Sequence, residues 1–266
     1  PFWRSVARLT HDSRLDGSES GSVHFELPMH TPLPGFGERT EPDWQDWYDR
    51  WDWQQSSYIP DREKRFSFML DVLAQVCGDE FTVIDLMCGP GAISQRVTTR
   101  FPKARCIAID LDPVLVELGR RAVGDAGGRI VWYERDFRDP DWWPSIGFDG
   151  QVDAVLSTTA IHWLHAGAIV ALYRQLAEVI RPGGLFLDGD AMEYEASKPV
   201  LRRVTQESRA AIRTPAGALG AKRNDSVPVM RHTHYEVHRA ALLDAGFREV
   251  DVVWQQLSSR ILAAIR

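Results

Sequence analysis

Residues 84–93 read "IDLMCGPGAI": an apolar run that ends in an acid, a cysteine, and then glycine-proline-glycine. Three readings compete for it: a redox thiol, a dinucleotide loop, or the floor of another cofactor site. The run "FTVIDL" (81–86) predicts a buried strand and "AISQRVTTRF" (92–101) a helix, so Gly89 and Gly91 stand at a strand-to-helix turn. Bare backbone there lets a ligand approach closely. A dinucleotide fingerprint wants G-x-G-x-x-G, and here the third position is Ser94. No G-x-x-x-x-G-K-[ST] loop exists, which removes ordinary P-loop chemistry. Cys88 has no C-x-x-C partner, and its small, soft side chain suits a buried turn.

Working outward, strands and helices alternate. "ARCIAID" (104–110) reads as a strand, and "DPVLVELGRRAV" (112–123) as a helix capped by Asp112 with Pro113 in its first turn. "RIVWYERD" (129–136) and "VDAVLST" (152–158) are strands, "GAIVALYRQLAEVI" (167–180) a helix, and "GLFLDGD" (184–190) a fifth strand. This alternation implies a parallel sheet covered on both faces. "THYEVHRAALLDAGF" (233–247) predicts a helix with a Thr233–Glu236 capping box and a Gly246 exit, and the tail after it a hairpin around "QQLSS". Upstream, "REKRFSFMLDVLAQVCG" (62–78) is an amphipathic helix with Phe66, Met69, Leu70, Leu73 and Val76 on its apolar side. Trp44, Trp47, Tyr48 and Trp51 recur at helical spacing, a stripe that packs that helix onto the main domain and could also roof a ligand.

With 266 residues the chain can bury roughly 70–75% of its unfolded surface, so neither disulfides nor metal are needed for a core. An odd set of cysteines (Cys77, Cys88, Cys106) suggests free thiols in a reducing compartment. Together with the lack of a membrane-length apolar run or a signal-peptide pattern, the reading is cytoplasmic. The net charge of −6 sets the chain against general nucleic-acid binding. Charge is uneven, however: residues 198–231 hold eight bases against two acids.

Two downstream acids give the glycine loop its meaning. Asp110 ends the second strand, nineteen residues after Gly91, where a carboxylate can accept from both hydroxyls of a ribose. Asp136 ends the third and is followed by Phe137, a pairing that suits adenine. In order, "VIDLMCGPG", "AIDLDP", "ERDF", "VDAVLSTTAIHWL" and "IRPGGLFLDGD" make residues 80–266 resemble a class I S-adenosylmethionine-dependent methyltransferase of small-molecule type. The resemblance implies a doubly wound, mostly parallel seven-stranded sheet of Rossmann-like α/β class, ending in an antiparallel hairpin and carrying a helical cap. It implies S-adenosylmethionine as cofactor, with S-adenosylhomocysteine as product. It assigns Asp85, Cys88, Gly89 and Gly91 to the methionine end, Asp110 and Leu111 to the ribose, Asp136 and Phe137 to the adenine, and Ser157 to the same site. Met87 departs from the family's D-x-G-x-G-x-G loop and is expected to crowd it or shift it.

Methyl transfer from a sulfonium is an in-line displacement in which alignment does most of the work, and a base is needed only if the nucleophile must lose a proton. His162 is the best-placed base, His165 the next, and Trp163 a wall of the acceptor pocket. Arg202, Arg209 and Arg213 could pair with an anionic acceptor, and His234 could line its pocket. His232, His234 and His238 lack the acid or cysteine ligands of a metal site, so no metal is expected. The organisation expected is an irregular arm (1–40), a helical lid (41–79), a cofactor-binding core (80–190), a substrate cap (191–238) and completion of the core (239–266). The function expected is methylation of an oxygen or nitrogen, or a carbon, of a small molecule in specialised metabolism. RNA or protein methylation, and a silent cofactor-binding scaffold, are the alternatives. The oligomeric state is open.

Overall fold

The runs of β-branched and apolar residues pair into one seven-stranded sheet. The computed structural model describes residues 41–59, 61–211 and 233–266, of which Asp43–Arg266 form one unit. Two helices come first, α1 (Trp44–Tyr58) and α2 (Arg62–Cys77). Then follow β1 (Thr82–Leu86), α3 (Ala92–Arg100), β2 (Arg105–Asp110), α4 (Pro113–Ala122), β3 (Ile130–Glu134), β4 (Val152–Thr158), α5 (Ala166–Val179) and β5 (Ile180–Ala191). The described part closes with α6 (Pro199–Ala211), α7 (Tyr235–Ala245), β6 (Glu249–Gln256) and β7 (Ser259–Ile265). The strand order is β3-β2-β1-β4-β5-β7-β6, with β7 alone antiparallel to its neighbours. The expected α/β class, mostly parallel sheet and terminal hairpin are all present.

Each face of the sheet has its own core. Phe66, Met69 and Leu73 of α2 and Ile93 and Val97 of α3 pack with Val83, Ala108 and Leu187 on one face. Ile169, Leu172 and Tyr173 of α5 and Leu242 of α7 pack with Ile84, Val155 and Phe186 on the other. Helix α2 is therefore a layer of the core, not part of a lid, because four of its apolar side chains are buried against the sheet. Val76, expected on that face, is exposed. In α1, Tyr48 is buried and Trp51 half-buried, while Trp47 is turned outward, so the packing stripe is narrower than its aromatic content suggests.

Helix ends follow local chemistry with two exceptions. Asp112 caps α4 by accepting from Val114 N and Leu115 N at 2.9 and 3.4 Å, and Gly246 ends α7 at φ 98°. The capping box at Thr233 and Glu236 does not form: α7 begins at Tyr235, after His234, which makes no side-chain cap bond. An isolated bridge between His234 and Glu193 sets that entry instead. Helix α5 is capped by His165, whose Nδ1 accepts from Ala168 N at 3.1 Å. Strand β5 starts four residues earlier than expected, because the chain slips register between its pairings of Val152 with Ile180 and Ala154 with Leu185. Gly183, at φ 76°, takes the slip.

Two glycines admit one indole. A Cβ on Gly91 would stand 2.3 Å from the Trp132 ring, and one on Gly119 of α4 would stand 2.4 Å from it. The ring is buried between them and donates from Nε1 to Gly124 O at 2.9 Å. Glycine inside a helix ordinarily lowers stability by about 1 kcal/mol relative to alanine. Gly119→Ala should reverse that sign and destabilise by about 2 kcal/mol, because the ring must move out of a close-packed slot. Urea unfolding should show this, and should show a neutral or stabilising effect of the same change in a Trp132→Leu background.

Candidate functional site

In sheets of this order ligands bind outside the carboxyl ends of the strands, where the chain reverses direction across the sheet. That point lies between β1 and β4, which are parallel neighbours. The loop after β1 is left-handed at three positions, Met87 (φ 57°), Gly89 (φ 55°) and Gly91 (φ 79°). This explains the family's glycine at the first of them. Met87 neither opens nor fills the loop: its side chain packs against the core on the α5 face. Asp85 is buried and accepts from Ser94 N and Ser94 Oγ at 3.1 and 2.6 Å, so it organises the start of α3. Burial pushes its pKa up to about 7 against the pull of those two bonds. Cys88 is buried, with its thiol pKa pushed well above normal by burial, as suits a packing residue. All three cysteines are free. Gly91 gives its missing side chain to Trp132, and the open side of Gly89 is covered by the Trp51 indole, whose Cζ2 would stand 3.3 Å from a Cβ there.

At the end of β2, Asp110 accepts from Gly89 N through Oδ2 and from Asp112 N through Oδ1, both at 2.8 Å. Burial raises its pKa, opposed by those backbone bonds. Each oxygen keeps a lone pair, which matches the two hydroxyls of a ribose. Leu111 beside it is 45% exposed, an apolar platform next to that carboxylate. Asp136 is held in a bidentate pair by Arg138, with contacts of 2.5 to 3.0 Å, and Arg138 keeps its pKa low. Phe137 departs from expectation: it is buried edge-to-face on Trp142, at 5.8 Å between centroids, and presents no open face to a base. The aromatic after the acid is a core residue here because the chain turns inward behind β3.

The carboxyl ends of β4 and β5 hold a buried polar cluster. His162 donates from its backbone N to Asp190 Oδ2 at 3.0 Å, and its Nδ1 lies 2.7 Å from Asp190 Oδ1. Burial opposes ionisation of Asp190, but the His162 charge and hydrogen bonds outweigh it and lower its pKa. On the adjoining positions Ser157 and Asp188 are register partners, and among the described residues neither Ser157 Oγ nor either Asp188 oxygen has a hydrogen-bond partner. Behind them Tyr173 OH lies 2.6 Å from His238 Nδ1. Burial lowers the His238 pKa to about 4, so the tyrosine donates to a neutral ring. Arg65 of α2 reaches the β5 backbone at Gly189 O from the opposite face.

The other predicted residues fall unevenly. Trp163 is 45% exposed with its ring 5.0 Å from that of His162, so it can wall the crevice. His165 is committed to the α5 cap. His234 Nδ1 lies 3.1 Å from Glu193 O. Arg202 is exposed on α6, while the Arg209 side chain and Arg213 lie outside the described residues. Among the described residues no three His, Cys, Asp or Glu side chains gather as a metal site, and no helix is long and apolar enough to cross a membrane. Sequence reasoning missed Asp188, Asp190 and Tyr173, and weighed His238 without its tyrosine partner. The available signal was two acids at i, i+2 in the otherwise apolar run "GLFLDGD", which puts both on one buried face.

A methyltransferase-domain family model matches residues 83–184, from β1 into β5. Among curated relatives, the trans-aconitate 2-methyltransferase of Azoarcus sp. is 29% identical over 156 residues, covering 58% of this chain and 56% of that protein. The protein of the same name from Methylobacterium nodulans is 30% identical over 178 residues, covering 65% and 63%. The chain thus spans less than two thirds of the length of these relatives. Among solved structures, DesVI of Streptomyces venezuelae shares the fold with a TM-score of 0.57 at 15% identity, over 85% of this chain and 99% of that one.

The unpartnered Asp188 gives a stability test. Burial first, then the neighbouring Asp190, raises its pKa well above normal, while Arg65 pulls the other way. The folded state therefore keeps a proton that the unfolded chain releases near pH 4. The stability this group contributes is complete below about pH 4 and is lost as pH rises toward its raised folded value. Asp188→Asn cannot ionise, so it should match the parent near pH 4 and gain about 1–2 kcal/mol at pH 8. Thermal unfolding of both proteins between those limits checks it.

Proposed function

We propose that this chain, a class I S-adenosylmethionine-dependent methyltransferase by domain and fold, transfers a methyl group from S-adenosylmethionine to a small-molecule acceptor. The observation that carries the cofactor assignment is Asp110, fixed by two backbone N–H groups with lone pairs left for two vicinal hydroxyls. Gly89 adds a left-handed backbone N–H tied to Asp110 after β1, and Leu111 an apolar platform. These residues fit the cofactor. Asp136 fits if its carboxylate accepts from the adenine amino group as well as from Arg138, and Phe137 supports the site only from within the core. When bound, the cofactor supplies an activated methyl group on a sulfonium.

The chain's own residues then align the acceptor and manage its proton. Asp190 holds the Nδ1 side of His162, which makes Nε2 the basic nitrogen of the neutral ring. With a phenol, alcohol or amine acceptor, His162 takes the proton as the nucleophile attacks. With a carboxylate acceptor the nucleophile is already ionised and His162 only orients it. The names of the curated relatives favour a small carboxylic acid as the first acceptor class to test, with Arg202 as its cationic partner. The acceptor belongs on this reading to specialised metabolism and reacts at oxygen or nitrogen. Helix α1 is part of its cover on this reading, excluding water from the crevice, while residues 212–232 of the expected cap lie outside the described residues.

Calorimetry with S-adenosylmethionine and S-adenosylhomocysteine tests the core of this reading. Binding of both is expected, with at least a tenfold loss in Asp110→Ala, as for removal of charged hydrogen bonds; no binding of either sinks the assignment. Methyl transfer from labelled cofactor to trans-aconitate and to a phenol then separates the acceptor classes. Asp190→Asn should lower kcat by about 10²–10⁴ with an acceptor that must lose a proton, and hardly at all with a carboxylate. Equal losses with both would remove His162 as a base.

A further inference from the structure

Helix α1 is fastened to the glycine loop more firmly than a packing helix requires. Tyr48 OH donates to Gln95 Oε1 of α3 at 3.0 Å. One turn later Asp52 accepts from the buried Arg62 at 2.7 Å and from Arg96 at 3.4 Å. The Arg62 guanidinium in turn lies 5.6 Å from the centroid of the Trp51 ring and 4.7 Å from that of Phe66. The result is a fixed indole. Its Cζ2 and Cη2 atoms stand 3.3 and 3.6 Å from the point where a Cβ on Gly89 would be. Trp51 therefore lies over the one glycine of the loop whose side-chain direction is not taken by Trp132.

We infer that Trp51 is a cofactor-binding residue, its indole forming a roof over Gly89 that packs on the methionine end of the bound cofactor. This rests on the reading of the crevice as an S-adenosylmethionine site. Two features point to a ligand-facing role over a purely structural one. Trp51 is only half-buried, although Tyr48 one turn before it is fully buried. It also meets backbone that carries no side chain, and Gly89 is the residue that Asp110 ties to the ribose end of the crevice. Asp52 and Arg62 are positioning residues in this arrangement, holding the ring from behind.

The test is calorimetry on the full chain with two probes, S-adenosylhomocysteine and 5′-methylthioadenosine, which keeps the nucleoside but lacks the amino-acid end. Trp51→Ala should weaken S-adenosylhomocysteine binding about tenfold and Trp51→Phe about threefold or less, the range expected for aromatic packing. Methylthioadenosine should lose much less. An unchanged or tighter S-adenosylhomocysteine affinity in Trp51→Ala overturns the inference, and so does an equal loss for both probes, which would mean the ring only supports the fold. Thermal unfolding without ligand reports whether the variants fold, and Trp51→Phe carries the comparison if Trp51→Ala does not. Failure of the parent protein to bind S-adenosylhomocysteine would instead bring down the cofactor reading and this inference with it.

Discussion

The hydrogen bond from Gly89 N to Asp110 Oδ2, 2.8 Å long, joins the loops that follow the neighbouring strands β1 and β2. Asp85 makes an equivalent tie one strand-end earlier, to both donors of Ser94. Between them the two carboxylates hold the backbone in a left-handed path that ordinary residues avoid. Met87 follows that path without being glycine, at about 1–2 kcal/mol of backbone strain. Its side chain offsets part of this by packing against the α5-side core. With the loop fixed, the Trp132 ring can enter under Gly91 and Gly119, and α1 can lay Trp51 on Gly89. Both sides of the crevice thus inherit their shape from one backbone turn.

The sheet was legible because strands buried on both faces read as unbroken apolar runs, and each is separated from the next by a helix with a proper stop. Asp110 was legible for a similar reason: strand end, distance from the glycines and residue type all agree. Legibility failed where a residue's role depends on what lies across the fold. Nothing near Gly91 announces an indole from β3, forty-one residues away in the chain. Phe137 looked like a base-stacking aromatic because the sequence shows its neighbour Asp136 but not the inward turn that buries it on Trp142. His165 stands among candidate bases in "AIHWLH" yet spends Nδ1 on the end of α5, and histidine is a poor signal for a cap.

His162 shows the boundary between the two cases. Its position after β4 was visible, but its meaning comes from Asp190, twenty-eight residues on and across the β4–β5 pairing. A buried histidine without that partner would be an ordinary core residue. With it, the ring has a fixed tautomer and a fixed orientation, the minimum for moving a proton at a chosen atom.

The acids of β5 are where folding and function conflict. Asp188 and Asp190 lie on the face that Phe186 fills with a large apolar ring two residues earlier. Apolar side chains of similar size there would stabilise the sheet, because a buried charge gains less from its partners than it loses in leaving water. The protein handles the two acids differently. Asp190 has two hydrogen bonds with His162 and one from Ala191 N, and its pKa is lowered, whereas burial and Asp190 raise that of Asp188, whose oxygens have no hydrogen-bond partner among the described residues. The facing Ser157 hydroxyl also has no hydrogen-bond partner among the described residues, so unsatisfied groups stand side by side on adjacent strands near their carboxyl ends. Stability alone does not account for two unsatisfied groups in register on adjacent strands.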